Sequence, residues 1–430
     1  MKKIATHTLG CKVNKYDTEA MVKLFLEKGY EEVDLKDGAD VLLINTCSVT
    51  NLSEKKSRQI IRSVKNKNKD AIVVAAGCYA QVAPSEVEKL AGVNIVIGTK
   101  NRNEVYNLVD NYSFTMGVVN TVSDIMEEKA FESLDVNEFK DMTRAYLKIQ
   151  EGCNQYCSYC IIPFARGNIR SRKVCEVLEE VTRLVNFGVK EVVLAGIHIA
   201  SYGKDLGDTN LLDIIKKVHD IEGLERIRFS SVEPNLMNEE FVKEISKLHK
   251  VCDYFHLSLQ SGCDKTLVHM RRKYTTSEYK ESINIIRKYY DNPSISTDVI
   301  VGFPMENEQD FLQSYEFCKE MNFSKIHVFP YSPKKGTKAY EMGDHLSNAT
   351  KEERAKKLRD LSDEMGEKYI KAFINKTLEI LVEECDGKIS KGHSKNYIKV
   401  NFEGLETQNT FVNVNITDGC SNYAFGKYTI

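Results

Sequence analysis

Residues 145–160 read AYLKIQEGCNQYCSYC, an apolar run followed at once by three cysteines, and this junction decides the architecture. Ala145–Ile149 reads as a strand, and Cys153, Cys157 and Cys160 stand in the loop that leaves it. In barrels of parallel strands, reactive groups gather on the loops at the carboxyl ends of the strands. Three thiolates this close in sequence can hold three irons of a cuboidal iron-sulfur cluster and leave the fourth iron open for chemistry. A structural zinc site is the competing reading. It normally takes four protein ligands in two pairs, and no fourth ligand stands close by in the sequence.

The strand–helix alternation that begins near Thr143 continues through Glu191–Leu194, Arg226–Ser230, Tyr254–Leu259, Ile295–Val301 and Lys325–Phe329. Helical patterns lie between at Val174–Phe187, Leu211–Asp220, Asn238–Leu248, Ser277–Tyr290 and Glu308–Glu320, and a charged helix, Lys351–Phe373, follows. Six β-α units make a partial barrel, too few for eight-fold closure. Upstream, Lys3–Leu9, Val41–Asn45, Ala71–Ala76 and Asn94–Gly98 alternate with amphipathic stretches and predict a second parallel sheet. Downstream, LEILVEE, YIKVNFEG, TFVNVNI and YAFGKYTI are short alternating runs split by Gly, Asn, Asp and Ser, the signal of a small all-β barrel. The expected divisions are 1–112, a linker at 113–138, a core at 139–370 and a last domain at 371–430.

The chain has 430 residues, 42% hydrophobic and 28% charged, with a formal charge of -2. Any nucleic acid must therefore be held by local basic patches. Its MKKIATHTLG start forms no apolar leader, and no apolar run approaches membrane-spanning length, so a cytoplasmic protein with no membrane partner is expected. Twelve cysteines in such a chain point to metal ligation rather than disulfides. Cys11, Cys47 and Cys78 each fall just past one of the first three apolar runs. Residues at the carboxyl ends of neighbouring parallel strands converge on one crevice, so these three thiols could ligate a further cluster. A lone free cysteine is more often a buried small hydrophobe. Cys175, Cys252, Cys263, Cys318, Cys385 and Cys420 lack ligand spacing and read as such structural thiols.

TLGCKVN, NTCSVTN and GCYAQ, followed by LKIQEGCNQYCSYCIIPFARG, resemble the methylthiotransferases of the radical S-adenosylmethionine (SAM) superfamily. Within it they most resemble the tRNA enzymes acting on N6-threonylcarbamoyladenosine. The isopentenyladenosine branch instead resembles YGCQMN with NTCSIR, and the ribosomal-protein branch LGCPKN with NTCG. The resemblance spans nearly the whole chain and implies a flavodoxin-like parallel α/β domain, a partial (βα)6 radical SAM barrel and a C-terminal TRAM barrel of OB-like form. It also implies that Cys153, Cys157 and Cys160 bind the SAM-cleaving 4Fe-4S cluster, and that Cys11, Cys47 and Cys78 bind an auxiliary 4Fe-4S cluster. The implied reaction adds a methylthio group to carbon 2 of the adenosine at position 37, with the tRNA anticodon loop as partner. For SAM, the implied contacts are Tyr159, Gly196, Ser258, Gln260 and Asp298; ordinary packing beside a cluster is equally open to Tyr159, and turn and buried-polar roles to the other four.

Arg166, Arg170, Arg172 and Lys173 follow the cluster loop and are candidates for RNA contact, as are Arg271, Arg272 and Lys273. Arg166 or Arg170 is the expected partner of the threonylcarbamoyl carboxylate. Residues 371–430 hold seven lysines, seven carboxylates and no arginine, so the last domain is not basic overall. His198 reads as a packed histidine. Isopentenyladenosine in tRNA or a ribosomal-protein aspartate are the alternative substrates; a non-catalytic iron-sulfur RNA-binding redox sensor is the reading from another class. The sulfur source and the reducing system are not legible.

Overall fold

The computed structural model describes residues 1–134, 143–343, 346–404 and 407–428. The expected linker–core boundary at 138–139, the last four residues of the linker and the end of the final strand run lie outside them. The first sheet contains β1 (Lys3–Thr8), β2 (Glu31–Val33), β3 (Val41–Thr46), β4 (Ile72–Gly77), β5 (Ile95–Val96) and β6 (Val119–Asn120). Its order is β2-β1-β3-β4-β5-β6 with every pairing parallel, the doubly wound arrangement of flavodoxin-like domains. β3 is buried along its whole length, which is why its sequence VLLINT is almost continuously apolar. Two strands differ from expectation. β2 is too short and charged to announce itself, and β6 takes residues assigned to the linker into the sheet.

The second unit carries six parallel strands: β7 (Arg144–Glu151), β9 (Glu191–Gly196), β10 (Arg226–Phe229), β11 (Tyr254–His256), β12 (Ser294–Val301) and β13 (Lys325–Pro330). The short β8 (Arg170–Ser171) pairs antiparallel with β7 after the cysteine loop. Parallel bridges Ile227↔Val251 and Val232↔Leu257 join the β10 and β11 segments, so the six strands form one curved wall. Ala145, Leu147 and Ile149 of β7 pack into the main apolar core with the surrounding helices. Because side chains alternate along a strand, Tyr146, Lys148 and Gln150 face the inside of the wall. The register Asp298↔His327 and His256↔Ser296 places those side chains on one face as well. The inner face is polar, the outer face apolar.

Helix Asn348–Lys371 leads to a closed five-stranded barrel of β14 (Thr377–Cys385), β15 (Ile389–Ser394), β16 (Lys399–Glu403), β17 (Phe411–Gly419) and β18 (Ala424–Tyr428), in the order β14-β15-β16-β18-β17. It docks beneath the partial barrel, at the amino ends of β7, β9 and β10. Arg226 donates to the carbonyls of His393 (3.0 Å) and Glu379 (2.9 Å), and Arg228 to those of Ser394 and Lys395 (both 2.8 Å). Arg228 also pairs with Glu191 at 2.7 Å, and Arg144 bridges Glu191 to Glu383 of the small barrel. The Tyr397 ring stacks on His393 (4.6 Å) and lies under the Arg228 guanidinium (4.7 Å).

Glu191 has no solvent exposure. Burial alone would raise its carboxyl, but Arg228 and Arg144 hold it at about 2. The stabilisation this carboxylate gives is complete above its unfolded pKa of about 4.3 and is lost as pH falls toward 2. Glu191→Ala, which leaves two buried guanidinium groups short of a partner, should cost about 3–5 kcal/mol in urea unfolding at pH 7, and the difference from wild type should shrink on acidification through that window.

Candidate active site

The cysteine loop leaves β7 through Gly152, whose φ is +74° and where a Cβ would sit 1.8 Å from the Asn168 carbonyl oxygen. Only glycine fits there. Beyond it, the Cys153 amide donates to the Gly167 carbonyl (3.0 Å) and the Cys160 amide to that of Cys157 (3.0 Å). Ser158 pins the loop to the far wall, its amide donating to the Met270 carbonyl (3.0 Å) and its hydroxyl to that of His269 (2.7 Å). All three thiols are half-buried. Burial pushes Cys153 up to about 11 and Cys160 up to about 12, so as free thiols they stay protonated near neutrality. A bound metal reverses that, since a coordinating thiol is deprotonated outright.

Arg272 meets this triad. Its Nη1 lies 3.2 Å from the Cys157 sulfur, Nη2 pairs with both Glu233 oxygens at 2.9 Å, and the guanidinium rests on the Tyr274 ring at 4.9 Å. The side chain is only 5% exposed. The expectation that Arg272 contacts RNA phosphate is therefore corrected: its donors are spent inside the protein. Arg271 and Lys273 on either side are exposed.

The residues expected around SAM stand on the cysteine loop (Tyr159), at or just past the ends of β9 and β11 (Gly196, Ser258, Gln260) and within β12 (Asp298). Tyr159 packs edge-on to Phe303 at 6.4 Å. Gly196 ends β9 against Gln150, where a Cβ would come within 2.9 Å of Oε1, and that oxygen accepts from the His198 amide at 2.7 Å. His198 reaches Gln155 of the cysteine loop at 3.2 Å, and burial lowers its pKa. The Ser258 carbonyl accepts from Tyr274 and Arg272. Gln260, at φ +68°, ties its backbone to Asp298 (2.8 Å) and Ile300 (2.9 Å). Asp298 pairs with Nε2 of His256 at 3.1 Å. With His327, these two form a group whose nitrogen and oxygen atoms lie within 4.8 Å of one another, and neither histidine was singled out from sequence.

The second triad gathers where β1, β3 and β4 end. Cys11 precedes helix Lys12–Leu26, Cys47 follows β3, and Cys78 opens helix Cys78–Val82. Asn14 and Asn45 stitch these ends together: Asn14 Nδ2 donates to the carbonyls of Leu9 (2.7 Å) and Thr46 (3.1 Å), and Asn45 Nδ2 to that of Asn14 (2.9 Å). At Gly10, φ +105°, a Cβ would press within 3.0 Å of the Cys47 sulfur. Burial pushes Cys78 up to about 12; Arg166 opposes the shift and the charges of Cys47 and Cys11 add to it, which reflects how closely the three approach.

Arg166 binds this triad as Arg272 binds the other, with Nε 3.2 Å from the Cys78 sulfur. Its remaining nitrogens engage Asp17 (2.8 Å), Glu151 and Asn14. Asp17 and Glu151 also pair with Lys148 and Arg102, and Arg102 reaches Glu132 at 2.7 Å. Burial works against both carboxylates, yet the surrounding cations hold Asp17 below its ordinary value and Glu151 well below. The candidate RNA contacts Arg166, Arg170 and Arg172 are thus corrected. All three are buried, Arg170 donates to the carbonyls of Arg166 and Asn168, and Arg172 pairs with Glu180. Of that group only Lys173 is exposed. Both triads fit an iron-sulfur cluster: three free thiols each, converging, with a buried guanidinium against one sulfur to balance an anionic cofactor.

Residues 147–318 match the radical SAM superfamily, and residues 3–98 match the Uncharacterized protein family UPF0004. The chain is 43% identical to the threonylcarbamoyladenosine tRNA methylthiotransferase MtaB of Bacillus subtilis (strain 168), over 94% of this chain and 91% of that protein. It is 40% identical to the MtaB of Aquifex aeolicus (strain VF5), over 96% and 99%. A tRNA-2-methylthio-N(6)-dimethylallyladenosine synthase from Protochlamydia amoebophila (strain UWE25) is 33% identical over 94% and 91%. In fold the chain is similar to the radical S-adenosylmethionine methyltransferase TsrM from Kitasatospora setae, with a TM-score of 0.57 and 12% identity, covering 76% of this chain and 75% of that one.

The ion network between the two triads makes a direct prediction. Asp17→Asn keeps the shape but leaves Arg102, Lys148 and Arg166 with too little negative charge. Urea unfolding should show a loss of about 3–5 kcal/mol, far above the effect of neutralising an exposed residue such as Glu27.

Proposed function

The chain belongs to the radical SAM threonylcarbamoyladenosine tRNA methylthiotransferases, and from that premise we propose that it methylthiolates carbon 2 of N6-threonylcarbamoyladenosine at position 37, in the tRNA anticodon loop. It is an enzyme that uses SAM and two 4Fe-4S clusters. When bound, these groups supply what no side-chain acid or base can at neutral pH: a radical able to take hydrogen from an unactivated aromatic C–H bond, and the sulfur that replaces it.

The protein's own part is to hold and orient. Cys153, Cys157 and Cys160 would carry the cluster that meets SAM, and Cys11, Cys47 and Cys78 the auxiliary one. Arg272 and Arg166 set positive charge against each. Tyr159, Gly196, Ser258 and Gln260 would border SAM at the rim of the wall, with Asp298 held by His256 below. The observation that carries the reading is Arg166, which touches Cys78 of one triad and Glu151 of the strand that delivers the other, so one side chain fixes the two triads in a common frame. No described helix is long and apolar enough to cross a membrane, and a tRNA substrate supports a cytoplasmic enzyme.

Replacing Cys153, Cys157 and Cys160 together with alanine should leave about four irons in the reconstituted protein and abolish SAM cleavage. Replacing Cys11, Cys47 and Cys78 should also leave about four irons, retain reductive cleavage of SAM to 5′-deoxyadenosine, and abolish thiolation of tRNA bearing threonylcarbamoyladenosine. Anaerobic assays with iron analysis check both. Loss of all iron in either triple variant, or SAM cleavage by the first, would contradict the assignment.

A further inference from the structure

Recognition of a threonylcarbamoyl group requires an answer to its carboxylate, and the arginines nearest the cysteine loop cannot give one. Arg166, Arg172 and Arg272 are paired with Asp17, Glu180 and Glu233, and Arg170 is buried with its guanidinium turned to the carbonyls of Arg166 and Asn168. The floor of the lumen is balanced as well, with Arg144, Arg226 and Arg228 set against Glu191, Glu379 and Glu383.

Lys12 is different. It directly follows Cys11 and begins helix Lys12–Leu26, beside the inward face of β7. Its ammonium lies 5.6 Å from the Tyr146 ring centroid, and that of Lys15 lies 5.5 Å from the same ring. Lys15 has Glu19 at 3.8 Å, whereas Lys12 has no carboxylate within ion-pair distance among the described residues. Lys12 is only half-exposed, and His327 on β13 is near enough to feel its charge. Two ammonium groups drawn to one tyrosine ring repel each other, and a ring face offsets only about 0.5–1 kcal/mol per cation at exposed sites. An anion beside them would relieve that repulsion.

We propose that Lys12 receives the carboxylate of the threonylcarbamoyl group, in an anion subsite completed by Lys15 and the Tyr146 ring. This rests on the substrate reading above and deepens it. A partly dry ammonium gives a strong charge-assisted hydrogen bond to a carboxylate, and an apolar isopentenyl tail would leave the cation unanswered. Lys12 adjoins Cys11 in sequence, and its ammonium reaches the Tyr146 ring on the inward face of β7.

The test uses full-length reconstituted enzyme and three anticodon stem-loops: one with threonylcarbamoyladenosine, one with its methyl ester, one with isopentenyladenosine. By fluorescence anisotropy, wild type should bind the free acid about tenfold or more tighter than the ester. Lys12→Arg should keep the preference, and Lys12→Gln should bind acid and ester alike. Lys12→Met, which keeps the alkyl stem over Tyr146, is the second neutral variant, and iron content reports folding. A neutral variant that retains the wild-type preference overturns the proposal. So does a wild type without preference, or loss of iron in both neutral variants, which would make Lys12 structural. Failure of the underlying substrate reading looks different: wild type would thiolate the isopentenyl loop and leave the threonylcarbamoyl loop untouched.

Discussion

The structure depends on one buried guanidinium. Arg166 has no exposure, and its nitrogens reach the Cys78 sulfur, Asp17 and Asn14 of the first domain, and Glu151 at the end of β7. Around it, Arg102, Lys148 and Arg166 are balanced by Asp17, Glu151 and Glu132. An ion network out of water adds little net stability, because desolvation consumes most of the Coulomb gain, but it tolerates few arrangements. That intolerance is useful here. Two cysteine triads on two domains must keep a fixed separation, and an apolar contact of the same area would fix it less sharply.

Much of the architecture was legible because it follows from local pattern. Strands with apolar runs such as VLLINT and AYLKI announce themselves, and the rule that parallel strand ends converge on one crevice groups Cys11, Cys47 and Cys78 from sequence alone. What was not legible is non-local. Arg166, Arg170, Arg172 and Arg272 were candidates for RNA contact, because arginine is by default a surface cation and the groups that hold these four inside the protein lie far away in sequence or carry no marker. The signal that could have corrected this was on the other side of each pair. Asp17 sits among Val13, Tyr16, Ala20 and Met21 on a helix face that has to be buried, and Lys148 and Glu151 lie in a strand of the barrel wall. Charges forced inside by periodicity require partners, and sequence could have asked for arginines without saying which.

The small C-terminal barrel has a place in the same logic. Its seven lysines and seven carboxylates give no basic field, and the face described here does not need one. It offers backbone carbonyls from residues 393–395 to Arg226 and Arg228, closing the amino ends of the wall with hydrogen bonds and with the Tyr397 ring. Between that floor and β13 lies a cavity of ≈ 250 Å³ lined by Tyr254, Ser296, Lys325, His327 and Tyr397 among others. The inner wall is thus polar from floor to rim, as a site that handles a charged cofactor and a modified nucleoside demands, while the hydrophobic core is displaced to the outside, under the helices.

The central claim is that this polar frame serves one modification of one nucleoside. It is tested most directly by mass analysis of tRNA nucleosides from a strain lacking the protein. The account predicts that N6-threonylcarbamoyladenosine accumulates, its 2-methylthio derivative disappears, and the methylthiolated isopentenyl nucleoside is unchanged. Persistence of the 2-methylthio threonylcarbamoyl nucleoside, or loss of the isopentenyl derivative in its place, would contradict it.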